Sequence, residues 1–221
     1  LLDIFINPLK PDNKMKTRVR IFWNLLAAAG IIMLFACKSD DDEQTTSSTA
    51  LTVAERSDLL QLREEEKLAR DVYQYSYEKY GLAIFQNIGN SEQTHMDQVL
   101  QILSNYKLAD PASSVAGVFN NADLQTVYNQ LVAKVDQSVA EAMVVGATIE
   151  DLDIKDIEDF LQRTTKKDII AMYNSLMCGS RNHLRSYYTQ ILAIGGSYSP
   201  IYITRAEFDS IVNSSNEQCG R

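Results

Sequence analysis

Between residues 85 and 102 the apolar and polar positions fall into a repeat: Phe85, Ile88, Glu92, His95, Val99 and Ile102 are spaced 3, 4, 3, 4, 3. That spacing marks one face of an α-helix. A carboxylate and an imidazole thus occupy consecutive places in a stripe otherwise made of core side chains. The same period recurs upstream at Leu59, Leu62, Glu66, Ala69, Tyr73 and Ser76. It recurs downstream at Ala140, Met143, Ala147, Glu150, Ile154, Ile157 and Leu161. A fourth stripe reads Met172, Leu176, Ser180, His183, Tyr187 and Ile191. Each stripe carries a polar intruder able to hold a metal.

Turn and cap signals set the limits of these helices. Thr52-x-x-Glu55 is a capping box that opens the first helix, and Tyr80-Gly81 closes it. The second helix runs from about Leu82 to Tyr106, and so short a joint forces an antiparallel hairpin. Residues 107–121 break the pattern with Asp110-Pro111, Gly117 and Asn120-Asn121, and a short helix fits 122–134. We read 107–136 as a long crossover to the second hairpin. Ser138-x-x-Glu141 opens the third long helix, Thr165 with Asp168 opens the fourth, and Gly195-Gly196 ends it. A last short helix at Thr204-x-x-Glu207 is expected to pack across one end. The expected fold is all-α: an antiparallel four-helix bundle over residues 52–215, with a short helix in the crossover and another at the C-terminus.

The first residues read differently. Lys16, Arg18 and Arg20 precede an apolar run from Leu25 to Ala36 and then Cys37. The run is shorter than the roughly 20 residues of a membrane span and has the form of a signal peptide. Leu34-Phe35-Ala36-Cys37 resembles the lipobox of bacterial lipoproteins. That resemblance implies cleavage before Cys37, lipidation of Cys37, and a membrane anchor in the cell envelope. Residues 1–36 are then an upstream extension, with Met15 as the expected start, plus the signal peptide. Residues 37–51, acidic and Ser/Thr-rich, form a linker. An acidic run directly after such a cysteine also resembles surface-export signals, with a plain tether as the equal alternative.

Composition narrows the function. The chain has 221 residues, 45% of them hydrophobic, and a net charge of −8. This suits one domain with a real core and argues against nucleic acid as a partner. Two histidines, His95 and His183, both fall in core stripes. Three cysteines at 37, 178 and 219 show no zinc-type spacing, and whether Cys178 and Cys219 pair stays open.

Glu66, Glu92, His95, Glu150 and His183 thus stand in register on four helices, with Asp153 one turn beyond Glu150. Carboxylates and imidazoles in that number suit a dinuclear iron or manganese centre. Each residue alone is more simply a hydrogen-bonded core group or a stripe-edge acid. Tyr73 and Tyr187 read first as packing residues, and Glu64 and Glu65 as solvated neighbours of Glu66, with Glu65 as the alternative ligand in its place.

Glu66-Lys67-Leu68-Ala69-Arg70-Asp71-Val72-Tyr73, followed by Asn90-Ser91-Glu92-Gln93-Thr94-His95, resembles the first half-site of rubrerythrin-type ferritin-like proteins. More closely, residues 53–213 are similar to an uncharacterised ferritin-like family, domain of unknown function 2202. That similarity runs through Arg63 to Tyr73, Ile84 to Ile88, Leu152 to Asp156 and Gly179 to Arg185. The resemblance implies a ferritin-like bundle and a metal centre, and leaves the activity open. It also exposes a departure: rubrerythrin-like proteins carry Glu-x-x-His on the fourth helix, where this chain has Ser180 before His183. Asp153 is the expected substitute. Three readings stay open: a redox enzyme acting on peroxide or dioxygen with an external electron donor, a non-catalytic metal binder, and a structural lipoprotein. The oligomeric state, including a homo-oligomer, is also open.

Overall fold

The computed structural model describes residues 50–219. The expected signal peptide and upstream extension over 1–36, Cys37 and the linker up to Thr49 lie outside the described residues. Six helices occur among them: α1 Val53–Tyr80, α2 Ala83–Asn105, α3 Ala122–Val135, α4 Val139–Leu161, α5 Lys167–Ala193 and α6 Arg205–Val212. None is long and apolar enough to cross a membrane.

The helix ends show why these segments fold where they do. Thr52 and Glu55 exchange both capping-box bonds, and Gly81 closes α1 in the left-handed region at φ 65°. Ser138 caps α4 and Thr204 caps α6 by accepting from the backbone N–H three residues on. One expectation is corrected: Thr165 does not cap the fourth long helix. Lys166 is the N-cap, without a side-chain bond. Thr164 instead donates to Glu55 at 2.7 Å, tying this turn to the start of α1.

The four long helices form a bundle. α1 packs on α2, α4 on α5, α1 on α4, and α2 on α5, while α3 lies against α1 and α4. One end of the bundle is apolar, built from Leu59, Leu62, Val99, Leu103, Ile157, Phe160, Ile169 and Leu176. Towards the other end an aromatic layer is formed by Tyr73, Tyr187 and Phe85, with ring centroids 5.4 and 6.2 Å apart. Tyr187 fits there because position 146 is glycine: a Cβ at Gly146 would lie 2.4 Å from its ring. Between these two layers sits a band of buried carboxylates and imidazoles.

The crossover is fastened by charge. Lys67 is wholly buried. It pairs with Asp71, donates to the Val115 carbonyl at 3.0 Å, and sits 4.2 Å over the Phe119 ring. Asp71 also accepts from the Gly117 backbone N–H at 2.8 Å. Arg63 reaches Asp110 at 2.7 Å. Lys67 and Asp71 are thus the clasp on the loop.

The C-terminal segment departs from expectation. It runs along the flank of the α4–α5 hairpin and does not close an end. Asp151, fully buried on α4, accepts from Tyr198 Oη at 2.8 Å and from the backbone N–H groups of Ile201, Tyr202 and Ile203. Helix α6 then docks Phe208 edge-on against Tyr188. Asp151→Ala would leave buried donors without an acceptor, at a cost of about 3 kcal/mol. Denaturant unfolding measures this; a loss under about 1 kcal/mol would show that Asp151 is not the anchor.

Candidate metal centre

Glu66 comes from the middle of α1, Glu92 and His95 from α2, Glu150 from α4 and His183 from α5. All five are buried, Glu92 and Glu150 at 0% exposure. They form two triads that share one residue. Donor atoms of Glu66, Glu92 and His95 lie within 4.8 Å of one another, and so do those of Glu92, Glu150 and His183. The two imidazoles are stacked, 5.6 Å between centroids at 29°.

Glu92 is the hinge of this arrangement, because its two oxygens face different triads. Oε2 lies 2.7 Å from His95 Nδ1, which is also 3.2 Å from Glu66 Oε2. Oε1 lies 2.8 Å from His183 Nδ1, which is also 3.4 Å from Glu150 Oε2. A ring nitrogen carries at most one hydrogen and can satisfy one carboxylate with it. The close approaches at Glu92 also lack hydrogen-bond geometry: neither Glu92 oxygen, nor Glu150 Oε2, Glu66 Oε1 or His183 Nδ1, has a partner. Buried carboxylate oxygens without partners are costly. Lone pairs converging from three residues on each side of Glu92 fit a pair of shared cations, and this donor set of carboxylate and imidazole suits iron, manganese or zinc.

Electrostatics describe the same strain. Burial pushes the Glu66 carboxyl up to about 8, helped by Glu92. Burial and the neighbouring Glu92 charge also raise Glu150. At Glu92 burial opposes ionisation, but His95 and His183 outweigh it and hold the carboxylate well below its usual range. The imidazoles respond in reverse. Burial disfavours their charge, yet Glu92 and Glu66 raise His95 well above its ordinary value, and Glu92 and Glu150 raise His183 to about 10. Without a metal the centre therefore holds protons where a cation would sit.

Partners outside the triads orient them. His183 Nε2 meets Ser91 Oγ at 3.0 Å. Tyr73 donates to Glu150 Oε1 at 2.6 Å, so it positions a carboxylate and is more than packing. The signal was legible, since Tyr73 stands two stripe places after Glu66. Gly179 gives His95 its room: a Cβ there would lie 2.5 Å from Nε2.

Asp153 stands apart from both triads. It is buried, with Oδ2 unpartnered. Burial and the charges of Glu66, Glu150, Glu92 and Glu65 push its carboxyl well up. It borders the centre without belonging to either donor group. Ser180, where a fourth-helix glutamate was expected, donates to the Leu176 carbonyl of its own helix at 3.3 Å. Glu65 is buried, accepts from Gln61 at 2.9 Å, and is raised to about 8 by burial and by Asp156. It lies in neither triad.

Residues 55–215 match the family model described as an uncharacterized protein domain, DUF2202. The chain belongs to the DUF2202 family. A DUF2202-sized relative, the uncharacterized protein MJ0754 of Methanocaldococcus jannaschii, is 47% identical over 165 residues, which are 74% of this chain and 89% of the relative. The crystal structure of that hypothetical protein superposes with a TM-score of 0.74 at 46% identity, over 76% of this chain and 96% of the crystallised one. The matched part is therefore most of each chain.

The shared role of Glu92 can be checked without metal. In the metal-free chain both histidines should stay protonated at pH 7, and Glu92→Gln, which removes the nearest negative charge from each, should lower both pKa values. NMR titration of the two ring C–H signals reads this directly. A shift of one histidine only would show that Glu92 is not shared.

Proposed function

We propose that this protein binds two transition-metal ions, iron or manganese, in a ferritin-like bundle. Glu66, Glu92 and His95 would hold one ion, and Glu92, Glu150 and His183 would hold the other. The observation that carries this reading is the pair of Glu92 oxygens, each facing its own His–Glu pair without a hydrogen-bond partner. Asp153 and Glu65 supply further buried negative charge at the edge.

Such an ion pair would supply electron transfer towards peroxide or dioxygen. The chain's own residues do the rest. The apolar end and the aromatic layer restrict water, Tyr73 fixes Glu150, and Ser91 fixes His183 through Nε2. Each position has one carboxylate of its own beside the shared Glu92, and Ser180 adds none, which favours a non-catalytic metal binder as the second reading. Turnover of hydrogen peroxide by the iron-loaded protein with a supplied electron donor separates the two. We also propose an envelope location, with a lipid anchor at Cys37. The disulfide Cys178–Cys219 supports an oxidising compartment.

Elemental analysis of residues 50–221 after reconstitution should give about two ions per chain. The Glu92→Ala, His95→Ala double variant should bind none at these positions. No transition metal in the reconstituted wild type would overturn the proposal. Loading must also displace protons from Glu66, His95 and His183. Metal affinity should therefore weaken as pH falls from 8 to 6, with protons released on binding, measurable by calorimetry in buffers of different ionisation enthalpy. Affinity independent of pH over that range would contradict this ligand set.

A further inference from the structure

Seen from the α2–α5 side, the centre is covered by one segment. Beyond α6, residues 213–219 run back along α5 and end over the two histidines. A pocket of about 360 Å³ lies there, walled by Ser91, His95, Gly179, His183, Glu217 and Cys219. The outer edges of the imidazoles meet solvent through it, and part of its wall is the returning chain.

Two kinds of bond hold that segment. Glu217 accepts from Arg181 at 2.8 Å and from Arg185 at 2.7 Å. Its carbonyl accepts from Asn182 Nδ2 at 3.0 Å, and its backbone N–H donates to Asn182 Oδ1 at 2.9 Å. Cys219 is joined to Cys178 of α5 by a disulfide. The sulfurs are unequal in access. Cys178 is 8% exposed, whereas Cys219 is half-buried and lines the pocket, with Asn182 Nδ2 3.3 Å from Sγ. Glu217 and Cys219 also lie beyond residues 55–215, the part matched by the family.

We propose that Cys178–Cys219 is a thiol-exchange site for a dithiol reductant, and that its reduction releases the C-terminal strap and opens the histidine edge of the centre. A thiolate of the reductant enters the pocket and bonds to Cys219 Sγ. The Cys178–Cys219 bond breaks, and Cys178 leaves as a thiolate that takes a proton. The second thiol of the reductant then displaces Cys219, which also gains a proton. The protein accepts two electrons and two protons, and the reductant departs as a disulfide. Attack falls on Cys219 because access selects the sulfur. Once the covalent tie is gone, the strap is held by the Glu217 ion pairs and the Asn182 hydrogen bonds at a partly exposed surface, which are weak holders of a chain terminus.

The test needs no metal, so its failure is distinct from failure of the metal proposal. Metal-free residues 50–221 are compared by NMR before and after dithiothreitol, with alkylation and mass spectrometry counting free thiols. The expected result is two new thiols and unchanged helicity. Exchange of the Glu217 amide should become faster by on the order of tenfold or more. Broadening of the His95 and His183 ring signals by a soluble gadolinium chelate should also rise. Cys219→Ser should show the opened state without reductant. Thiols released with the Glu217 amide and both rings unchanged would overturn the proposal. So would a disulfide that yields only when the helices melt, or a folded Cys219→Ser variant with a closed strap.

Discussion

A carboxylate removed from water must be neutralised, and Glu92 is removed completely. Its side chain has no exposure, and its two oxygens point to opposite sides of the bundle centre. Everything near it answers that constraint. Two imidazoles are pulled towards it and charged by it. Two further glutamates crowd the same nitrogens and are driven towards protonation. In the protein without metal, protons balance the charge at the cost of unpartnered oxygens. Cations at the same points would meet the unpartnered oxygens of Glu92 and Glu150. Apolar residues of similar volume would be cheaper to bury in this band.

The surrounding architecture keeps that band intact. The apolar end closes one side and the Tyr73–Tyr187–Phe85 layer the other. Glycines 146 and 179 let a tyrosine and a histidine approach their facing helices without spreading the bundle. Lys67 and Asp71, close in sequence to Glu66, do not join the centre; they clasp the crossover instead. The charged stretch around Glu66 therefore serves both the buried band and the loop anchor.

The helices were legible from the sequence because their apolar period is clean and their caps are explicit. The five triad residues were legible for the same reason: a polar residue in a core stripe is visible only when the stripe is. What escaped lay where periodicity is silent. Asp151 gathers donors from a segment some fifty residues away, a pairing that no local pattern encodes. Thr165 is not the cap because the helix starts at Lys167, which makes Lys166 the N-cap. Asp153, placed one turn after Glu150 by helical geometry, is buried beside the centre but outside both triads, since shared register does not fix where a shorter side chain reaches. Cys178 and Cys219 needed the fold to bring them together.

The most direct test of the central claim is anomalous diffraction from a crystal of the iron- or manganese-loaded protein. The account predicts two peaks flanking the Glu92 carboxylate, one beside Glu66 and His95 and the other beside Glu150 and His183. Metal found only at the protein surface, with no peak at the Glu92 carboxylate, would contradict it.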